Sequence, residues 1–180
     1  MAKKKLIALI TVLVCVLSVS VGATVAYITS VAGPVKNTFT VGDIELTLGE
    51  TTGATYQLIP GTTVKKDPRV TVVGGSEDCW LFIKLTKTEN PDHYLTYSIS
   101  DGWYSLHGFA DVYYREVKNV DGDLSFQILR DDEITVKDTL TKEEIGKITS
   151  NPRIAFTAYA IQSYGIDDAA TAYNAILEEE

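Results

Sequence analysis

The chain has 180 residues, of which 45% are hydrophobic, and a net charge of −8. Three of its 16 basic residues precede Ala26 and none of its 24 acidic residues does, so residues 27–180 carry a net charge of −11. Such acidity disfavours binding to nucleic acid and to anionic lipid headgroups. The length after Ala26 suits one domain with its own hydrophobic core.

The first 26 residues have the three parts of an export signal. Lysines occupy positions 3–5, an uncharged run covers residues 6–21, and small residues follow at Gly22, Ala23 and Ala26. The apolar run is too short to predict a stable membrane span. We therefore expect a signal peptidase to cleave after Ala26, or after Ala23 as the second choice, and to leave a secreted chain over residues 27–180. An uncleaved signal anchor is the alternative.

Two alternating patterns meet at Gly42. Apolar and polar residues alternate over residues 44–48, which predicts a half-buried strand, whereas Phe39 and Val41 have the opposite parity. Gly42 therefore predicts a strand break. Residues 27–42 are a candidate donor strand, in which Tyr27, Phe39 and Val41 would pair with the sheet edge of another subunit. An ordinary first strand behind a tail is the alternative.

The rest of the chain predicts short strands. Residues 64–73 are interrupted by Pro68, so their first half is an edge or a turn. Residues 78–86 are apolar on both faces and predict a central strand with Cys79 as a small buried hydrophobe. Further strands are expected at 95–99, 110–117, 124–129 and 154–163. Asp121-Gly122 lies between two of these runs and predicts a hairpin turn. The pattern predicts an all-β sandwich.

Two short helices are also expected. Thr141 and Glu144 have the spacing of a capping box, which predicts one helical turn through Ile148. Asp167 or Asp168 can cap a second helix that ends near Leu177.

Few residues carry catalytic patterns. His93 and His107 lie in loop-like contexts, no zinc-protease helix or nucleophile motif occurs, and no cofactor is predicted. Asn119, Asp121 and Asp123 have the spacing of the first ligands of a calcium loop. The twelfth position from Asn119, where such a loop needs an acidic residue, is Arg130. A solvated turn is favoured over a weak calcium site that also uses Asp131. The tyrosines around Trp103 predict capped sheet faces, with a carbohydrate platform as the alternative.

Both ends of the chain resemble a known family. The segments that carry the resemblance are Gly22-Ala-Thr-Val-Ala-Tyr27, Asn37-Thr-Phe-Thr-Val-Gly42 and Ala158-Tyr-Ala-Ile-Gln-Ser-Tyr-Gly-Ile. They are similar to the TasA/camelysin family of Gram-positive bacteria. The resemblance implies a jelly-roll sandwich, export through a dedicated signal peptidase, and a non-enzymatic role in extracellular biofilm-matrix fibres built from the chain itself or related subunits. A camelysin-like surface metallopeptidase and a cell-surface binding module are the alternatives.

Overall fold

The computed structural model describes residues 37–41, 43–52, 57–118, 120–150 and 152–179. In this part of the chain, β-strands predominate and three helices lie among them. The strands are β1 (Asn37–Val41), β2 (Leu46–Gly49), β3 (Thr63–Lys65), β4 (Arg69–Val72), β5 (Cys79–Thr88), β6 (Leu95–Thr96), β7 (Tyr104–Ser105), β8 (Val112–Val117), β9 (Leu124–Gln127), β10 (Glu133–Val136) and β11 (Arg153–Gln162). The helices are α1 (Pro91–Tyr94), α2 (Lys142–Gly146) and α3 (Ala169–Glu179).

One layer is a five-stranded sheet in the order β1-β11-β5-β8-β7. β5 pairs antiparallel with β11 along its whole length and with β8 on its other side. The prediction of a central strand over residues 78–86 is therefore confirmed. The pairing of β1 with β11 is parallel.

The second layer consists of two three-stranded sheets, in the orders β2-β4-β9 and β3-β10-β6. β3 leads directly into β4, and β9 leads into β10 through a 3-10 turn at Arg130–Asp132. Lys66 N donates to Asp132 O at 2.7 Å, and Ile128 N donates to Pro68 O at 3.0 Å. These bonds join the two small sheets into one layer.

The hydrophobic core lies between the layers, because alternate residues of each strand face inward. The core includes Cys79, Leu81 and Ile83 of β5, Phe156, Ala158 and Ala160 of β11, and Leu46, Leu48, Val70 and Val72 of the second layer. α3 covers the outer face of the five-stranded sheet, where Ala169, Ala172, Tyr173 and Ile176 pack with Phe82, Tyr159 and Ile161. The chain is thus a β-sandwich with one helix packed on its outside.

The local helix signals are confirmed. The hydroxyl of Thr141 accepts from Glu144 N, and the carboxylate of Glu144 accepts from Thr141 N, which completes the predicted capping box at α2. Asp168 Oδ1 accepts from Ala170 N and Thr171 N, each at 2.9 Å, and caps α3. α1 was not predicted, because the sequence before His93 is typical of a turn.

The hairpin prediction at Asp121-Gly122 is wrong. β8 lies in the five-stranded sheet, whereas β9 pairs with β4 in the other layer. The loop therefore crosses between layers. It packs on a second turn, where Gly74 N donates to Asp123 Oδ1 at 2.9 Å and a Cβ on Gly74 would stand 2.9 Å from the Gly122 Cα. Each strand takes the neighbour that buries its apolar face, and that requirement overrides the local turn signal.

Candidate functional site

The predicted assembly strand falls partly inside the described residues. Ala23, Ala26 and Tyr27 lie outside them. Phe39 and Val41 belong to β1, where they stand in register with Tyr159 and Ile161 of β11. The structure therefore places the last part of the candidate donor strand on a sheet edge of its own chain.

This edge is only partly covered by β1. β1 is the outermost strand of its sheet and pairs with Thr157–Ile161 of β11. The preceding part of β11, Arg153–Phe156, has no strand partner on that side among the described residues. A parallel ladder of five residues contributes only a few kcal/mol, at about 0.5–1.5 kcal/mol net per hydrogen bond.

β11 is packed on both of its faces. Phe156, Ala158 and Ala160 are fully buried in the core between the layers. On the opposite face, the ring of Tyr159 meets Tyr173 of α3 edge-on, with 6.0 Å between ring centroids. These contacts do not involve β1, so they hold β11 and its edge in place independently of β1.

The chain changes layers directly after β1. β1 lies in the five-stranded sheet and β2 in the second layer, so the two alternating patterns belong to different strands. Gly42, where the break was predicted, lies outside the described residues. Backbone hydrogen bonds hold the chain in the second layer directly after Gly42. Glu77 N donates to Asp43 O at 3.2 Å, and Val73 N donates to Glu45 O at 2.9 Å.

A buried ion pair anchors the loop after β2. Lys66 is fully buried, and its Nζ lies 2.9 Å and 3.0 Å from the two carboxylate oxygens of Glu50. The neighbouring Asp67 accepts from the backbone and hydroxyl groups of both Thr51 and Thr52. Burial raises the pKa of Asp67, but these four hydrogen bonds outweigh it and hold the pKa well below its usual range.

Sequence reasoning missed this pair. A lysine in Val64-Lys-Lys-Asp is normally solvated, and nothing in the pattern indicates burial. The one available signal is parity, because Lys66 stands two residues after Val64 and so shares its face of the strand.

The acidic calcium candidates do not form one cluster. Asp123 is hydrogen-bonded to Gly74, Asp121 is exposed in the loop between layers, and Asp131 lies in the 3-10 turn. Over the described ranges, no three His, Cys, Asp or Glu side chains are grouped to hold a metal ion.

Cys79 is buried and the two histidines are exposed, as predicted, although His93 lies in α1 rather than in a loop. Cys79 is fully buried, and burial together with the charge of Asp78 raises the pKa of its thiol to about 12. His93 and His107 are exposed, and His93 packs edge-on against Tyr94 with ring centroids 4.8 Å apart.

The aromatic residues of the middle third do not form one platform. Trp103 is buried and meets Phe126 edge-on, and its Nε1 donates to Gln127 O at 2.9 Å. Tyr104 is 63% exposed and contacts Tyr114 at 5.8 Å between centroids. Trp103 belongs to the core between the layers, whereas Tyr114, the ring partner of Tyr104, packs with the residues under α3, so the two rings lie on opposite sides of the five-stranded sheet.

No family model, curated protein or solved structure matches the chain. Within the part of the chain that the structure describes, no helix is long and apolar enough to cross a membrane.

Proposed function

We propose that the chain is an exported structural protein that assembles, alone or with related subunits, into extracellular matrix fibres. The observation that carries this proposal is the position of β1. It is an edge strand, held to β11 by a five-residue parallel ladder, and the chain leaves its sheet immediately after Val41. The jelly-roll connectivity and the dedicated signal peptidase implied by the TasA/camelysin resemblance belong to the same proposal.

The mechanism is exchange of β1 between subunits. A β1 from a neighbouring subunit can make the same main-chain hydrogen bonds to Thr157–Ile161 that the subunit's own β1 makes. The exchange therefore costs little once subunits are concentrated, because each lost bond is replaced by an identical one. The Arg153–Phe156 edge, which has no strand partner on that side among the described residues, offers further pairing to the residues that precede β1 in a neighbouring chain.

Exchange in one direction leads to filaments. Each subunit donates its N-terminal strand to one neighbour and accepts a strand from another, which is a head-to-tail contact that does not close on itself. Subunits with a net charge of −11 repel one another. Salt or divalent cations screen this repulsion, so we expect them to promote assembly.

Two truncations test the proposal. Protein that starts at Tyr27 should form filaments, visible by negative-stain electron microscopy and as light scattering that rises with salt. Protein that starts at Asp43 lacks β1 and should stay monomeric. Filaments from the Asp43 protein would contradict the proposal, as would failure of the Tyr27 protein to assemble either alone or with a related subunit.

A peptide makes the test specific to the strand. A peptide of residues 27–41 added to the Asp43 protein should bind and raise its melting temperature, because it refills the β11 edge. The matched control carries Thr38→Pro and Phe39→Pro, since one of two adjacent residues in a strand donates to the ladder and proline cannot donate. Equal stabilisation by both peptides would show that the effect is not strand pairing.

A further inference from the structure

A polar cleft opens at one edge of the sandwich, far from β1 in the strand order. Its volume is about 440 Å³, within the range of small-ligand sites. Residues from both layers line it, namely Ser100, Asp101, Arg115, Ser125, Phe126, Gln127, Arg130 and Asp131. The cleft thus combines β8 of one layer with β9 and the 3-10 turn of the other.

Arg115 is held in a fixed position in this cleft. It stands opposite Leu81, a core residue, so the strand directs it toward the inside of the sandwich. Its guanidinium lies 3.9 Å from the ring centroid of Phe126 and 5.2 Å from that of Trp103. A planar guanidinium stacked on aromatic rings keeps its N–H donors free at its edge.

The chain leaves room for this side chain. Gly102 has a φ of +84°, and a Cβ there would stand 2.7 Å from Arg115 Nη2. Glycine is therefore favoured at position 102 by its backbone conformation, and a side chain there would displace the Arg115 guanidinium.

Arg115 has no carboxylate partner among the residues that the structure describes. The second cation of the cleft, Arg130, is paired with Asp101. Burial lowers the pKa of Arg115 from its usual value, although a guanidinium remains charged at neutral pH. A half-buried cation without an ion pair is unusual in a chain whose mature part carries 24 acidic residues.

The geometry points to a binding site for an acidic sugar, in which the carboxylate of a hexuronic acid unit pairs with Arg115. A carboxylate accepts two parallel hydrogen bonds from the edge of a guanidinium. Ser100, Ser125 and Gln127 also line the cleft, and their backbone and side-chain polar groups can bond the hydroxyl groups of a sugar. The Ser125 hydroxyl already accepts from Thr71 Oγ1 at 3.0 Å.

The charges of the cleft favour a singly charged ligand. Two arginines are balanced by two aspartates, Asp101 and Asp131. The repulsion between these aspartates and the ligand is therefore about twice as large for a doubly charged phosphate as for a single carboxylate. A site of this kind would attach the protein to an acidic polysaccharide, and it does not depend on exchange of β1.

The test uses the side-chain N–H signals of the two tryptophans in ¹⁵N-labelled full-length chain, kept in a sugar-free non-ionic detergent. The Trp103 N–H lies beside the cleft, whereas Trp80 donates to Ile166 O elsewhere and serves as an internal control. Sodium glucuronate and galacturonate should shift the Trp103 signal in a saturable way. Glucose, methyl glucuronate, acetate and phosphate should bind at least tenfold more weakly.

Variants connect the binding to Arg115. Arg115→Gln should lose at least tenfold in affinity, and Arg115→Lys, which keeps the charge but not the planar donor pair, should also lose about tenfold. Lys147→Gln, which removes an exposed cation that does not line the cleft, should bind as the parent does. If Arg115→Gln does not fold, Arg115→Lys decides.

Several results would overturn the proposal. Equal binding of glucose or methyl glucuronate would remove the role of the carboxylate, and equal binding of acetate would remove the role of the sugar. Phosphate binding as tight as that of the uronates would show a general anion site. Full affinity in the Arg115→Lys variant would show that the planar guanidinium has no part.

Discussion

The buried pair of Lys66 and Glu50 provides the sharpest stability prediction. Glu50→Gln keeps the shape of the side chain but removes the charge that faces the Lys66 ammonium. The exposed fraction of the lysine side chain is 0% and that of the glutamate side chain is 4%, so the ammonium cannot move into water. Breaking a buried ion pair by removing one partner costs about 3–5 kcal/mol.

The double variant distinguishes charge from packing. Glu50→Gln with Lys66→Met leaves no buried charge, and replacement of a whole buried pair is often neutral. We therefore expect most of the lost stability to return, with a coupling free energy of about 2 kcal/mol or more. A domain of this size has a total stability of about 5–15 kcal/mol, so the single variant should be visibly marginal.

Urea unfolding followed by tryptophan fluorescence measures these differences. The matched control is Glu133→Gln, which removes the partner of Lys65 in a pair whose side chains are 65% and 39% exposed. An exposed pair contributes about 0–1 kcal/mol, so this control should unfold nearly as the parent does. A cost below about 1 kcal/mol for Glu50→Gln would refute the reasoning, because the lysine would then have another way to keep its charge solvated.

Three further predictions follow from single residues. Asp67→Asn should lower the free energy of unfolding at neutral pH, and the difference from the parent should shrink as the pH falls below 3.8. The reason is that the carboxylate stays ionised to a lower pH in the folded chain than in the unfolded chain. A difference that does not change with pH would contradict this. Cys79 should react with a disulfide reagent at pH 8 only in urea, since burial raises its pKa to about 12, and rapid reaction of the folded chain would contradict its burial. N-terminal sequencing of secreted protein should find a start after Ala26 or Ala23, and a retained Met1 would contradict cleavage.

The sequence predicts the strands that are buried on one or two faces. The two-sided apolar run that begins at Cys79 becomes β5, the central strand, because the second layer covers one of its faces and α3 covers the other. The parity change around Gly42 correctly separates β1 and β2 into different layers. Caps at Thr141 and Asp168 are also predictable, since capping depends on residues within one helical turn.

Pairings between distant segments are not predictable in the same way. The Asp121-Gly122 turn has the local chemistry of a hairpin, yet β8 and β9 enter different layers. Nothing local indicates that Glu50 will meet Lys66, or that Arg115 will lie over Phe126, because each contact joins loops or strands from separate parts of the fold. The sequence also does not show that β1 pairs with β11 in parallel, since parity fixes the face of a strand and not its partner.

Disulfide trapping between two differently labelled subunits tests the exchange of β1 most directly. Asn37 and Thr157 are register partners in β1 and β11, so one protein carries Asn37→Cys and the other Thr157→Cys, both without Cys15 and Cys79. After mixing, assembly and oxidation, we expect covalent dimers, because the two cysteines can meet only if a β1 strand pairs with another subunit's β11. A control with Thr96→Cys in place of Thr157→Cys, on β6 of the other layer, should give none. Filaments that form without covalent dimers in the Asn37 and Thr157 mixture would contradict strand exchange.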